Sequence, residues 1–191
     1  MKILVVVDMQ NEFISWLPDE KRNKLVDDMA AYIRQRKSDS LIVFTQDTHD
    51  KRIYSNTFES KKYDIHCEEG SEGWNIHPKL TAAASGALYS PLVLQKFTYA
   101  LPLSSLREIN EFVDKDKSFF DHPQFEVCGL TTDICVLANV VVLNAFFSFS
   151  DITVLENLTY GTTRSKTLDA FGIMDSMGII LRDAEIEEEE D

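Results

Sequence analysis

Ile3 to Val7 is an unbroken apolar run, four of its five residues β-branched, and it stops abruptly at Asp8. A strand that is apolar at every position must be covered on both faces, as in a parallel sheet between helices. The pattern recurs along the chain. Leu41 to Thr45, Leu92 to Leu94, Phe125 to Leu130, Ile152 to Leu155 and Gly178 to Leu181 read as five further strands. Helical spacing falls between them. Residues 20–36 place Leu25, Val26, Met29, Ala30, Tyr32 and Ile33 on one face, with Pro18 and Asp19 as the start signal. Residues 102–113, the apolar stretch from Cys135 to about Phe147, and residues 163–176 read as three more helices. Strand–helix alternation predicts an α/β fold whose parallel sheet carries helices on both faces.

The chain of 191 residues has no Pro/Gly/Ser-rich linker, so residues 1–182 are expected to form one domain. Seven of its acids crowd into residues 183–191, which reads as a solvated acidic tail. Net charge is −13, and no basic stripe offers phosphate contacts, which argues against a nucleic-acid partner. No apolar stretch approaches the roughly 20 residues of a membrane span, and the first residues lack a secretory leader's pattern. Three cysteines make no paired framework, so a reducing, cytoplasmic setting is expected. The run Val140 to Phe147 exceeds one helix face, which fits either a buried helix or a surface shared in a homo-oligomer.

In parallel α/β sheets, ligands sit beyond the carboxyl ends of the strands. Three reactive residues fall there: Asp8 after the first strand, Lys96 after the third, and Cys135 in the first turn of the helix after the fourth. Taken singly, each has an ordinary reading as a turn acid, a surface lysine or a packing thiol. Together they make a nucleophile with its helpers. A helix N-terminus and an ammonium favour the thiolate, and a carboxylate can take the thiol proton and return it to a leaving group. The turn Gly129 to Asp133 can aim backbone N–H groups at one point, as an oxyanion hole requires. Acyl transfer through a thioester is the implied reaction class. Cys128, inside a strand, reads as structural, and Cys67 has no assigned role.

Residues 47–79 form a long polar segment, of a kind that is usually functional or disordered. Asp47 and His49 share one side of an extended stretch, and Glu59 and His66 follow. This mixed N/O set suits one borderline divalent ion: zinc first, manganese or iron otherwise. His77 and His122, each before a proline, read as loop residues.

Asp8-Met9-Gln10-Asn11-Glu12-Phe13, Lys96 and Gly129-Leu130-Thr131-Thr132-Asp133-Ile134-Cys135-Val136 resemble the isochorismatase-like cysteine hydrolases over roughly residues 2–182. Asp47-x-His49 with His66 is similar to the nicotinamidase/pyrazinamidase branch. The resemblance implies a three-layer α/β/α sandwich with a six-stranded, mainly parallel sheet. It implies hydrolysis of nicotinamide, or its near isostere pyrazinamide, to the acid and ammonia. Cys135 would attack the carboxamide carbon, Asp8 would shuttle the proton, and Lys96 would stabilise the anion. A cis peptide before Thr131 and an oxyanion hole of the Thr131 and Cys135 amides are implied. So are a metal that meets the ring nitrogen and aromatic walls at Phe13 and Tyr63, with Tyr99 as a further wall. Where some members have a third metal-binding His, this chain has Glu59, seven residues before His66, ligating directly or through water. The Gly-rich stretch common after the first aromatic position is missing, so the resemblance does not define the pocket rim or its selectivity.

Two other readings stand beside this one. A related hydrolase for a ureido compound or another small amide would share the triad without needing the metal set. A non-catalytic binding protein of the same fold would need neither.

Overall fold

The computed structural model describes residues 1–115 and 122–187. Its centre is a six-stranded sheet of order β3-β2-β1-β4-β5-β6, all neighbours parallel. The strands are β1 (Lys2–Val7), β2 (Ser40–Asp47), β3 (Leu92–Lys96), β4 (Gln124–Leu130), β5 (Ile152–Tyr160) and β6 (Ile180–Arg182). The helices are α1 (Asn11–Ser15), α2 (Asp19–Arg36), α3 (Pro78–Ala83), α4 (Leu103–Lys115), α5 (Leu137–Phe146) and α6 (Arg164–Ser176).

The alternation of β1 side chains divides the core in two. Leu4 and Val6 join Leu25, Met29 and Ile33 of α2 and Leu80 of α3. Ile3, Val5 and Val7 join Ile109 of α4, Leu143 of α5 and Met174 of α6. Helices thus cover both faces, which explains why β1 has no polar position to spare. Strand order reverses direction between β1 and β4, so the crevice for a ligand opens beyond their carboxyl ends.

Several elements differ from the sequence reading. β3 runs on to Lys96, so the lysine ends the strand instead of following it, and the register sets it beside Asp47 of β2. β5 reaches Tyr160, with an irregularity in its pairing to β4 between Val127 and Gly129. α1 is too short to show a period. The polar segment 47–79 is ordered by two 3₁₀ turns, Tyr54–Asn56 and Glu59–Lys61, and by His77, which caps α3 by accepting the Lys79 N–H. His122 is exposed and stacks on Phe149. In α5, Val140 and Leu143 are buried while Val141 stays exposed. No helix among the described residues is long and apolar enough to cross a membrane.

The acidic tail is not wholly solvated. Ala184 is buried against the α2 face of the core and exchanges hydrogen bonds with the Asn157 side chain, its N–H donating at 2.8 Å and its carbonyl accepting at 3.1 Å. Alternate small and apolar residues, Ala184 and Ile186, allow this docking despite the neighbouring acids. Residues 188–191 of the tail lie outside the described residues.

Candidate active site

β1 ends in Asp8, whose backbone turns through a left-handed φ of +47°. This conformation is uncommon outside glycine, and Asp is among the side chains that tolerate it. Thr45 of β2 holds the turn from both sides. Its hydroxyl donates to Asp8 Oδ1 at 2.6 Å and accepts the Asp8 N–H at 3.1 Å. Asp8 Oδ2 lies 2.8 Å from Lys96 Nζ, yet has no hydrogen bond of good geometry among the described residues. It is the carboxylate oxygen that Thr45 does not engage.

Lys96 is fully buried. Its Nζ meets Asp8, Asp47 Oδ1 at 3.0 Å, the Thr98 carbonyl at 3.1 Å and Cys135 Sγ at 3.7 Å. Burial alone would lower its pKa, but Asp8, Cys135 and Asp47 hold it well above the ordinary lysine range. These neighbours favour the ammonium form.

Cys135 does not sit in a first α-helical turn. Residues Thr132–Val136 form a π-helical turn, closed by the Val136 N–H on the Thr131 carbonyl, and α5 follows it. The Leu130–Thr131 peptide before it is cis, as the resemblance implied. Gly129 makes this turn possible: its φ is +116°, and a Cβ there would lie 2.1 Å from the Val7 carbonyl oxygen. Burial works against the thiolate that a helix end and an ammonium would favour. Burial pushes the thiol well up and Lys96 pulls it back, but Asp8 and Asp47 oppose Lys96. A thiolate would be a third anion around one cation. Burial likewise raises the pKa of Asp8 against the pull of Lys96.

Asp47, His49, Glu59 and His66 come together, all buried, with one ligand atom of each within 4.8 Å of the others. Asp47 Oδ2 faces His49 Nε2 at 3.1 Å and His66 Nε2 at 3.4 Å. Glu59 completes the group at 3.4 Å from His66 and 3.7 Å from His49. Burial alone would depress the pKa of His66, but Asp47 and Glu59 push it up to about 10. The backbone carbonyl of Asp64, 2.8 Å from His66 Nδ1, turns the other ring nitrogen towards the cluster. Two imidazoles and two carboxylates so arranged could hold a divalent ion, and this donor set fits the borderline metals.

Asp47 joins the two centres, with Oδ1 on Lys96 and Oδ2 in the cluster. Gln10 fixes its backbone: the side-chain amide accepts the Asp47 N–H and donates to the Asp47 carbonyl, both at 2.8 Å.

Between triad and cluster lies a narrow cleft of about 50 Å³. Phe13, Tyr63, Tyr99, Thr131 and Cys135 all line it. The sequence reading missed Trp16, Ile134 and Thr162. Trp16 packs edge-on against Phe13 at 4.8 Å between ring centres and against His66 at 5.8 Å. Its spacing of three from Phe13 places both on one helix side and was readable in principle. Asp133 and Asn139 were also missed. Asp133 accepts the Thr162 N–H at 2.7 Å, and Asn139 donates to the Cys135 carbonyl at 2.8 Å while accepting the Leu101 N–H at 3.0 Å. Both brace the turn that carries Cys135. Cys128 is buried in β4, and Cys67 is buried with its N–H on Glu12 at 2.6 Å, so neither reaches the cleft.

The isochorismatase domain model matches residues 2–185. Among solved structures, the nicotinamidase of Bacillus subtilis superposes with a TM-score of 0.74 at 17% identity, covering 95% of this chain and 99% of its own. The pyrazinamidase of Pyrococcus horikoshii, in complex with zinc, gives 0.73 at 20% identity, over 96% and 99%. N-carbamoylsarcosine amidase of Thermoplasma acidophilum gives 0.72 at 24%, over 98% and 99%. A search of curated protein sequences gives no significant match. With a hydrolase domain matched over nearly its whole length, the chain belongs to the isochorismatase family.

Proposed function

We propose that this protein is a nicotinamidase, a cysteine amidase that converts nicotinamide to nicotinate and ammonia. The observation that carries the reading is the position of Lys96. One ammonium touches the carboxylate of Asp8, the thiol of Cys135 and the shared carboxylate of Asp47, and Cys135 lines the aromatic cleft.

In the proposed reaction Cys135 Sγ adds to the carboxamide carbon as its proton passes to Asp8. Lys96 offsets the charge while sulfur attacks. The backbone N–H groups of Thr131 and Cys135 receive the oxyanion. The C–N bond breaks, and Asp8 returns the proton to the departing ammonia. Water then attacks the thioester, with Asp8 as its base, and nicotinate leaves. Phe13, Trp16, Tyr63 and Tyr99 confine the ring. Asp47, His49, Glu59 and His66 would hold a divalent ion, zinc, manganese or iron, which supplies a Lewis-acid contact for a ring nitrogen when bound.

Ammonia release from nicotinamide by the metal-loaded protein tests this, run beside Cys135→Ala. Release by wild type and none by the variant is expected. No release by metal-loaded wild type overturns the assignment. The likeness to N-carbamoylsarcosine amidase favours a second reading, a hydrolase for another small amide or ureido compound. That enzyme would keep its activity in chelator.

A further inference from the structure

The cleft does not end at Thr131. A groove of about 640 Å³ continues from it, and the two share Phe13, Trp16, Thr131 and Thr162 as walls. The groove runs over the start of α2, the end of β5 and the first turn of α6. It does not touch Glu59, Tyr63, His66 or Tyr99, which close the opposite end of the cleft. This asymmetry orients a substrate. With a ring towards the metal-binding cluster and its carbonyl at Cys135, the amine side of the amide points to the end that opens into the groove. Ammonia needs no such space.

The lining says what would fill it. Lys21 and Arg164 stand on the groove wall against a single acid, Glu156. Lys21 Nζ lies 5.5 Å from the centre of the Tyr160 ring, which holds it along the wall. In a chain of net charge −13, a wall with two cations to one anion is a local reversal of sign. Thr159, Thr163 and Thr167 complete the wall beside Thr131 and Thr162.

Resting on the amidase reading of Cys135, we infer that the groove is a leaving-group subsite, which admits secondary amides whose amine carries a short chain ending in a carboxylate. The chemistry is that of the primary amide with a different departing group. Sulfur bonds to the carbonyl carbon, the C–N bond breaks, and the amine leaves as an amino acid with the proton held by Asp8. Water then releases the aromatic acid from the thioester.

The probes are nicotinamide, nicotinoylglycine and the methyl ester of nicotinoylglycine, with the holoenzyme and a Lys21→Ala/Arg164→Ala double variant. Both substitutions are at exposed positions. Wild type is expected to release glycine from nicotinoylglycine and to prefer the acid over the ester by roughly fivefold in kcat/KM, the scale of exposed charge pairs. The double variant is expected to lose that preference and keep its rate on nicotinamide. Turnover of nicotinamide with no cleavage of or inhibition by nicotinoylglycine overturns the subsite and leaves the amidase reading standing. Equal rates on acid and ester overturn the charge assignment. Release of glycine without turnover of nicotinamide upholds the subsite and overturns the primary-amide reading. No cleavage of any of the three overturns both.

Discussion

At the scale of single residues, Asp8 carries two demands at once. It must turn the chain at the end of β1 with a positive φ, and it must present a carboxylate oxygen to a buried ammonium. Asn tolerates the same left-handed backbone and keeps the shape of the carboxylate, but cannot take a proton. Asp8→Asn is therefore expected to fold with a lowered thermal transition, since it removes one partner of a buried ion pair, and to lose about 10²- to 10⁴-fold in kcat/KM below that transition, the usual worth of a positioned proton carrier. Steady-state kinetics beside a melting curve checks this. Retained activity would remove Asp8 from the chemistry. Asp8, Lys96 and Cys135 were legible in the sequence because strand ends in a parallel sheet are where chemistry gathers. Gln10, Asp133 and Asn139 were not, because each bonds to backbone that is distant in the chain or hidden in a turn. Nothing in a hydrophobic pattern reports such a partner.

Elements were legible where burial imposes a period. β1, β2, α2 and β4 follow from their apolar spacing, whereas α1 has five residues and leaves no period to read. The π-helical turn at Thr132–Val136 depends on one backbone bond to Thr131 and on the freedom of Gly129, not on side-chain pattern. The joint between α2, β4 and β6 was likewise unreadable. There Glu126 accepts from Tyr32 at 2.8 Å and from Arg36 at 3.1 Å, and Arg182 of β6 meets its other oxygen. Burial and the Glu126 carboxylate push the Tyr32 phenol up to about 12, against the pull of Arg36. The folded state thus holds this proton more tightly than the unfolded chain, whose phenol titrates near ~10. The stability it confers is fully present below about pH 10 and is lost as pH rises through about 12. Tyr32→Phe is expected to destabilise the protein by about 1 kcal/mol at neutral pH. The gap between variant and wild type is expected to narrow as pH is raised above about 10 in urea-unfolding experiments. A gap that stays constant into that range would show that the phenol proton is not linked to folding.

Across the whole molecule, the sheet gathers its chemistry at one edge, but the cluster draws on a segment with little core of its own. Asp47 and His49 are anchored by β2, and the Gln10 clamp holds them to the turn after β1. Glu59 and His66 come from the polar stretch between β2 and α3, whose 3₁₀ turns bury mainly Tyr54 and Glu59 itself. Without an ion, the buried carboxylates of Asp47 and Glu59 face His66 and favour its protonated form. An ion would displace that proton and tie the stretch to the sheet directly. Binding to the folded state alone stabilises it by roughly 2.7 kcal/mol when free metal is at 100 times its dissociation constant. For a chain of this size that corresponds to about 5–10 °C in Tm. Chelation is therefore expected to lower Tm by that amount and to raise the KM for nicotinamide, with both restored by added zinc. The loss is expected to be smaller in His66→Ala, where the ligand set is already broken. Differential scanning calorimetry with and without chelator, paired with initial rates, reads both effects. Equal Tm and equal KM in the two conditions would separate the cluster from both stability and catalysis, and leave Asp47 with Lys96 as its one functional partner.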